Sequence, residues 1–168
     1  WLETRMAHAI EALPQDDAIA SQTLVILNSP HPFLNIAIPV WQASWDKQRA
    51  HDFLSLGLSN SPVYVTRVDA STLRVRPTHG YFGSAFDGIL RERGEILPVG
   101  TRIRQAGGHV RISRLLDDGR PAEIEVSFDR DVNDIRYRFV TWRDGAFRET
   151  APPSLGDTLM IPGASFDD

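Results

Sequence analysis

The residues Asp-Arg-Asp-Val-Asn-Asp at positions 129–134 place oxygen-bearing side chains at alternate positions. Asp129, Asp131 and Asn133 match the first ligand positions of a helix-flanked calcium loop, because Ca²⁺ prefers carboxylate and amide oxygens. Such a loop also needs glycine at its sixth position and glutamate at its twelfth. Those positions hold Asp134 and Val140. The spacing therefore excludes that motif and leaves the first three residues as a weak metal candidate only.

The residues on both sides of this loop alternate between apolar and polar, which indicates β-strands. A hairpin closed by residues 129–134 would pair Phe128 with Ile135 on its core face. The same register would place Glu125 opposite Arg138 on its other face, as a favourable cross-strand charge pair. Because one register satisfies both faces, we predict a hairpin loop here.

The stretch "HGYFGSAFDG", residues 79–88, is the best candidate for a ligand or partner surface. It combines three glycines with aromatic and polar side chains and has no dinucleotide-binding glycine pattern. An irregular loop whose aromatic rings cover the core edge would have the same composition. The candidate residues are His79, Tyr81, Phe82, Ser84, Phe86 and Asp87, with Trp142 as a further stacking ring.

The histidines predict no zinc site, since none pairs with another at a spacing of two or four residues. They are His8, His31, His51, His79 and His109. Ser29 lies near His31 in "SPHPF", but the chain has no G-x-S-x-G nucleophile elbow. Two prolines around a histidine are more typical of a turn between a strand and a helix.

A carboxylate-dependent hydrolase is a further alternative function, since the chain contains paired carboxylates. General acid–base chemistry needs two groups whose environments separate their pKa values. Asp87 with Glu92, and Glu123 with Glu125, are the candidate pairs. The second pair already has a structural explanation in the predicted hairpin, beside two arginines of the next strand.

Composition excludes several classes of function. The chain has 168 residues, a net charge of −4 and no cysteine, which excludes disulfides and thiolate chemistry. Its arginines form no continuous basic run, so we expect no nucleic-acid partner. Its longest apolar stretch, "FLNIAIPVW", is far shorter than the roughly 20 residues of a membrane-spanning helix, so we expect no membrane insertion.

Periodicity predicts a mainly β (α+β) fold: an antiparallel β-sandwich or partly closed barrel with two helices. "WLETRMAHAIEAL" has helical spacing and ends at Pro14. A short helix, shortened or kinked at Pro39, follows the first strand "TLVILNS". From residue 62 the apolar period is two, with turn signals at Asp69-Ala70-Ser71, Asp118-Gly119 and Asp144-Gly145.

The predicted organisation is a helix and connector over residues 1–20, one β-rich domain over 21–162 and a polar tail over 163–168. The chain begins with Trp1 rather than methionine, which suggests a piece of a longer protein. An amphipathic, tryptophan-led start is also typical of a juxtamembrane segment.

Three phrases together resemble the soluble C-terminal region of uncharacterised bacterial multi-spanning membrane proteins. They are Asn28-Ser29-Pro30, the hairpin from Arg67 to Leu73, and the turn from Asp118 to Pro121. The resemblance covers roughly residues 20–162 and its motifs are structural. It implies a membrane-attached, extracytoplasmic (periplasmic) domain and supplies no active site or cofactor.

The leading functional expectation is therefore a non-catalytic extramembrane domain without a cofactor. It would contact a protein partner or cover the membrane-embedded portion of its parent chain. The alternative is a ligand-binding β-sandwich for carbohydrate, with Tyr81, Phe82 and Trp142 as stacking surfaces.

Overall fold

Two β-sheets and two helices form the described part of the chain in a computed structural model. The structure describes residues 2–44, 48–57, 61–83 and 97–165. The helices are α1 (Leu2–Glu11) and α2 (Pro32–Ser44), with a short 3-10 helix at Asp17–Ser21. The strands are β1 (Thr23–Ile26), β2 (Asp52–Ser55), β3 (Val63–Arg67), β4 (Thr72–Pro77), β5 (Arg102–Gln105), β6 (Gly108–Leu115), β7 (Pro121–Phe128), β8 (Tyr137–Arg143), β9 (Ala146–Glu149) and β10 (Thr158–Ile161).

The first sheet has the strand order β2-β1-β8-β9 and is mixed, since β1 pairs in parallel with both β2 and β8. The second sheet is antiparallel, with the order β10-β3-β4-β7-β6-β5. The mainly β, sandwich-like fold is thus confirmed, and the described strands form no closed barrel.

The first sheet is covered on both faces, which explains the unbroken apolar run of β1. Val25 and Leu27 pack toward the second sheet, whereas Leu24 and Ile26 join a cluster with the helices. A strand buried on both sides reads as continuously apolar, whereas a half-exposed strand alternates. The strands of the second sheet do alternate, and β7 shows the pattern most clearly.

Helix α2 contains Pro39 and runs on to Ser44. One sequence-based prediction is corrected by the topology. Strands β7 and β8 do not form a hairpin, because they belong to different sheets. Phe128 still meets the aromatic rings of β8, but does so across the sandwich, 4.8 Å from Tyr137 and 5.9 Å from Phe139 between ring centroids.

Candidate functional site

The loop of residues 129–134 is bound to the β3–β4 turn rather than arranged around a cation. The Asp131 carboxylate accepts hydrogen bonds from the Arg67 guanidinium at 3.1 Å and from the Asn133 backbone N–H at 2.8 Å. Val132 is buried, and its N–H donates to the Ala70 carbonyl. These contacts anchor the segment that carries the chain from one sheet to the other.

The remaining carboxylate of the metal candidate is also engaged by an arginine. Asp129 Oδ2 lies 3.3 Å from Arg104 Nη2. Within the described ranges, no three acidic or histidine side chains gather as a metal site would require. Asp129, Asp131 and Asn133 therefore have a structural explanation as a crossing loop.

The predicted ligand loop is only partly described, because Ser84, Phe86 and Asp87 lie outside the described residues. His79 is exposed and its carbonyl accepts a hydrogen bond from Arg120. The Tyr81 hydroxyl donates to the Leu56 carbonyl at 2.9 Å, which draws its ring between the two sheets. Burial raises the pKa of Tyr81 well above its ordinary value, and the charge of Glu123 adds to the shift.

Trp142 lies away from the described part of that loop, residues 79–83. It is only 4% exposed and lies in the cluster between the first sheet and the helices. Its ring packs edge-on against Phe147, and its Nε1 donates to the Ser165 carbonyl. Tyr81 instead packs on the cluster between the sheets, so the structure does not bring these two predicted stacking rings together.

The candidate carboxylate pair of β7, Glu123 and Glu125, binds side chains of the neighbouring strands and stabilises the sheet. Glu125 accepts hydrogen bonds from Arg111 and from Arg74, and Glu123 accepts one from the Ser113 hydroxyl. The hydrogen bond from Arg111 lowers the pKa of Glu125, with Arg74 adding to it against the opposing effect of burial. A carboxylate held ionised in this way is a poor general acid. The predicted partner Arg138 instead pairs elsewhere, with Asp16 and Glu149.

The described residues line an open cavity of about 500 Å³ at one edge of the sandwich. Edge strand β2 of the first sheet and edge strand β5 of the second contribute to its walls, and the start of α2 closes one side. The residues that define it most clearly are Asn35, Leu54, Tyr81, Ile103, Val110 and Ile112. Tyr81 and Phe82 are the two predicted site residues on its wall.

Asn35 is the distinctive polar residue of this cavity. Its Nδ2 donates to the Ser55 hydroxyl at 2.7 Å. Its Oδ1 is buried and has no hydrogen-bond partner among the described residues. Pro39 has no N–H, so the backbone carbonyl of Asn35, four residues earlier, receives no helical hydrogen bond from it. Because buried polar atoms are normally satisfied, this acceptor is a specific feature to be explained.

Sequence reasoning did not find this cavity. The alternation of β5 and β6 marks Ile103, Val110 and Ile112 as one face of a sheet. Nothing in their spacing tells whether a second sheet lies close above that face or at a distance. The approach of β2 and α2, which are far away in the chain, supplies the other walls of the open cavity.

The described helices include none that is both long and apolar enough to cross a membrane. Comparison of the chain with protein-family models, with curated proteins and with solved structures found no match.

Proposed function

We propose that this chain is a non-catalytic binding domain that holds a small, mainly apolar molecule between its two sheets. The cavity carries this proposal, because about 500 Å³ lies within the range of ligand sites in proteins. Its walls are mainly aliphatic and aromatic, as in sites that bury an apolar ligand. Removing apolar surface from water favours binding by about 25 cal/mol per Å².

Asn35 gives the proposed ligand one polar requirement. Asn35 Oδ1 is covered in this structure, so the proposal requires the amide to turn toward the cavity, where a ligand hydroxyl would donate to it. This bond would satisfy an acceptor that otherwise costs roughly 1–3 kcal/mol. The Tyr81 hydroxyl already donates to the Leu56 carbonyl, so the ring contributes its apolar surface to the cavity. An apolar body with a single hydroxyl fits this wall better than carbohydrate, whose many hydroxyl groups would need many polar partners.

Two matched substitutions test the cavity. Ile103 lies on its wall and is 41% exposed, whereas Ile135 is 84% exposed and lies outside it. Decanol binding, measured by isothermal titration calorimetry, is expected to weaken at least tenfold in Ile103→Trp, because the indole occupies the ligand's space. Ile135→Trp should bind like the wild type. Equal binding by all three proteins would refute a ligand site in this cavity.

A second pair of measurements tests the role of Asn35. The wild type should bind decanol more tightly than the methyl ether of decanol, which has no hydroxyl donor. Asn35→Leu should abolish this preference while it still binds both molecules. A preference that survives in Asn35→Leu would show that another group recognises the hydroxyl.

A second candidate function is the contact with a protein partner, as an extramembrane domain on the periplasmic side. It is supported by exposed apolar side chains at the cavity rim, with Ile36 57% exposed and Ile103 41% exposed. Surface residues of this kind, grouped around a pocket, are typical of protein contacts. The proposed partner is the membrane-embedded portion of the parent chain.

This candidate is tested in the complete native protein in its own membrane. The native chain is first sequenced, and apolar runs of roughly 20 residues are sought in it. A photocrosslinking residue at position 36 should then label those segments, and one at position 135 should not. A native chain without such segments, or equal labelling from both positions, would remove this candidate.

A further inference from the structure

The outer face of the second sheet is rich in arginine although the chain as a whole is acidic. Alternating sequences such as Arg-Val-Arg and Arg-Ile-Arg place every second side chain on one face of a strand. The strand register places the polar side chains of β4, β7, β6 and β5 on the same face of the second sheet. Among the described residues of its strands, the face carries two glutamates, Glu123 and Glu125, and six arginines: Arg74, Arg76, Arg102, Arg104, Arg111 and Arg114.

The two glutamates neutralise only the middle of this face. Glu125 is directly opposite Arg74 on one side and Arg111 on the other, and it pairs with both. Glu123 is opposite Arg114 in the strand register, but its carboxylate lies 3.6 Å from Arg74 and accepts a hydrogen bond from Ser113. Arg76 on β4 and Arg114 on β6 are left without an ion pair among the described residues.

Arg76 and Arg114 contribute to a pocket of about 210 Å³ on this face. Within the described ranges, neither has a carboxylate at ion-pair distance. The Arg76 guanidinium lies over the Tyr64 ring, 4.9 Å from its centroid, and this cation–π contact holds it in place. Leu116 and Ala122 add apolar walls to the pocket. Two like charges therefore share one small recess.

We propose that this recess binds a phosphoryl group through Arg76 and Arg114. Each guanidinium presents a planar fork of N–H donors that matches two oxygens of one oxyanion. A phosphoryl dianion balances both positive charges and has enough oxygens for both forks, whereas a single carboxylate carries only one charge. The pocket is smaller than a typical drug-sized site, which suits a phosphate or the phosphate end of a larger molecule.

Inorganic phosphate is the first probe, titrated at constant ionic strength and followed by arginine Nε–H shifts in NMR spectra. Arg76→Gln and Arg114→Gln should each weaken binding about tenfold or more, because each removes charged hydrogen bonds. Arg102→Gln is the control, since it removes the same charge from the same face but lies outside the pocket. Arg76→Lys should be intermediate, because it keeps the charge and loses the fork.

The source of the phosphoryl group is distinguished by vesicles. Phosphatidylcholine vesicles with and without phosphatidic acid are compared for binding to the wild type and to Arg114→Gln. Binding that needs both phosphatidic acid and Arg114 would assign the site to a lipid headgroup, whereas saturable binding of phosphate alone would assign it to a soluble phosphate compound. The proposal is overturned if neither probe binds saturably, or if Arg102→Gln weakens binding as much as Arg76→Gln and Arg114→Gln do.

Discussion

Asn28, just beyond the end of β1, binds the Thr141 hydroxyl of β8 through its side-chain oxygen at 2.7 Å, and both residues are buried. The same oxygen accepts the Trp142 backbone N–H at 2.7 Å, and Nδ2 donates to the Pro162 carbonyl at 3.1 Å. One amide thus joins the end of β1, strand β8 and the segment after β10. The Asn-Ser-Pro phrase that carried the sequence resemblance has a structural role at this residue.

Asn28→Ala is expected to lower the free energy of unfolding by about 3 kcal/mol. The change leaves the Thr141 hydroxyl and the Trp142 N–H buried without their acceptor, at roughly 1–3 kcal/mol for each group. Urea denaturation measures the difference. Asn133→Ala is the control, because Asn133 is exposed in the crossing loop and its loss should change stability by less than about 0.5 kcal/mol. Similar effects from both substitutions would contradict the role of Asn28.

Glu125 should make stability depend on pH in the acid range. Arg111 and Arg74 lower its pKa in the folded state, so its ionised form stabilises the fold above the ordinary pKa of 4.5. That contribution is lost as the pH falls from about 4.5 through the lower folded-state pKa. Glu125→Gln should therefore be less stable than the wild type at pH 7, and the difference should shrink toward pH 2.

Glu149→Gln is the matched control for this measurement. Glu149 also pairs with an arginine, Arg138, but its side chain is 56% exposed and solvent screens the interaction. Thermal melts across the pH range should show a much smaller difference for this variant. A Glu125→Gln difference that is constant from pH 7 to pH 2 would mean that the ionised carboxylate does not stabilise the fold.

Arg67 should be essential to the crossing loop, whereas calcium should have no effect on stability. The Arg67 guanidinium is buried and bonds the Asp69 and Ala70 carbonyls as well as the Asp131 carboxylate. Arg67→Ala is expected to cost about 1.5–3 kcal/mol, because it removes a buried side chain and the hydrogen bonds of a charged group.

The control for this substitution is Arg130→Ala, whose side chain is half exposed and lies 3.9 Å from Asp134. It should change the melting temperature by little, since exposed ion pairs contribute about 0–1 kcal/mol. Melts of the wild type in calcium and in chelator should coincide. A clear rise in melting temperature with calcium would restore the metal interpretation of residues 129–134.

Gly57 should not tolerate a side chain, because β1 and the chain after β2 approach too closely there. A Cβ at this position would lie 2.3 Å from the Leu27 carbonyl oxygen, a backbone atom. Gly57→Ala is expected to destabilise the protein by about 1–3 kcal/mol, the usual cost of overpacking. Gly83→Ala is the comparison, since its Cβ would come close to the Arg120 side chain but no nearer than 3.9 Å to a backbone atom. Equal unfolding midpoints in urea for the two variants would contradict this close approach.

Local sequence signals predicted the hairpins well. The Asp144-Gly145 turn joins β8 and β9 with φ values of 53° and 72°, and both are positive as a type I′ turn requires. Asp69-Ala70-Ser71 joins β3 and β4, and Asp118-Gly119 joins β6 and β7. In each case a few adjacent residues contain the whole signal, because turn geometry depends on their own backbone preferences.

The wrong prediction of a hairpin at residues 129–134 shows the limit of local sequence signals. Alternation in β7 and β8 identified their apolar faces correctly, since Ile124, Val126 and Phe139 all lie in the core between the sheets. A hairpin and a crossing between facing sheets bury the same residues of the two strands, so their alternation could not separate the two arrangements. The arrangements differ at Ile135, which the hairpin would have buried and which is 84% exposed. Two contacts between residues some sixty positions apart distinguish the arrangements. Arg67 donates to Asp131, and the Val132 N–H donates to the Ala70 carbonyl.

The sequence by itself determined the β-rich class, the two-helix complement, the alternating faces of strands such as β3, β4 and β7, and the positions of several turns. These properties depend on residues that are close in the chain, where periodicity and backbone preference act directly. Only the tertiary structure decided that β1 lies between β2 and β8, that Asn35 lines an open cavity, and that Arg76 and Arg114 share a recess. These relations arise from the burial of distant apolar surfaces against each other, which no local spacing specifies.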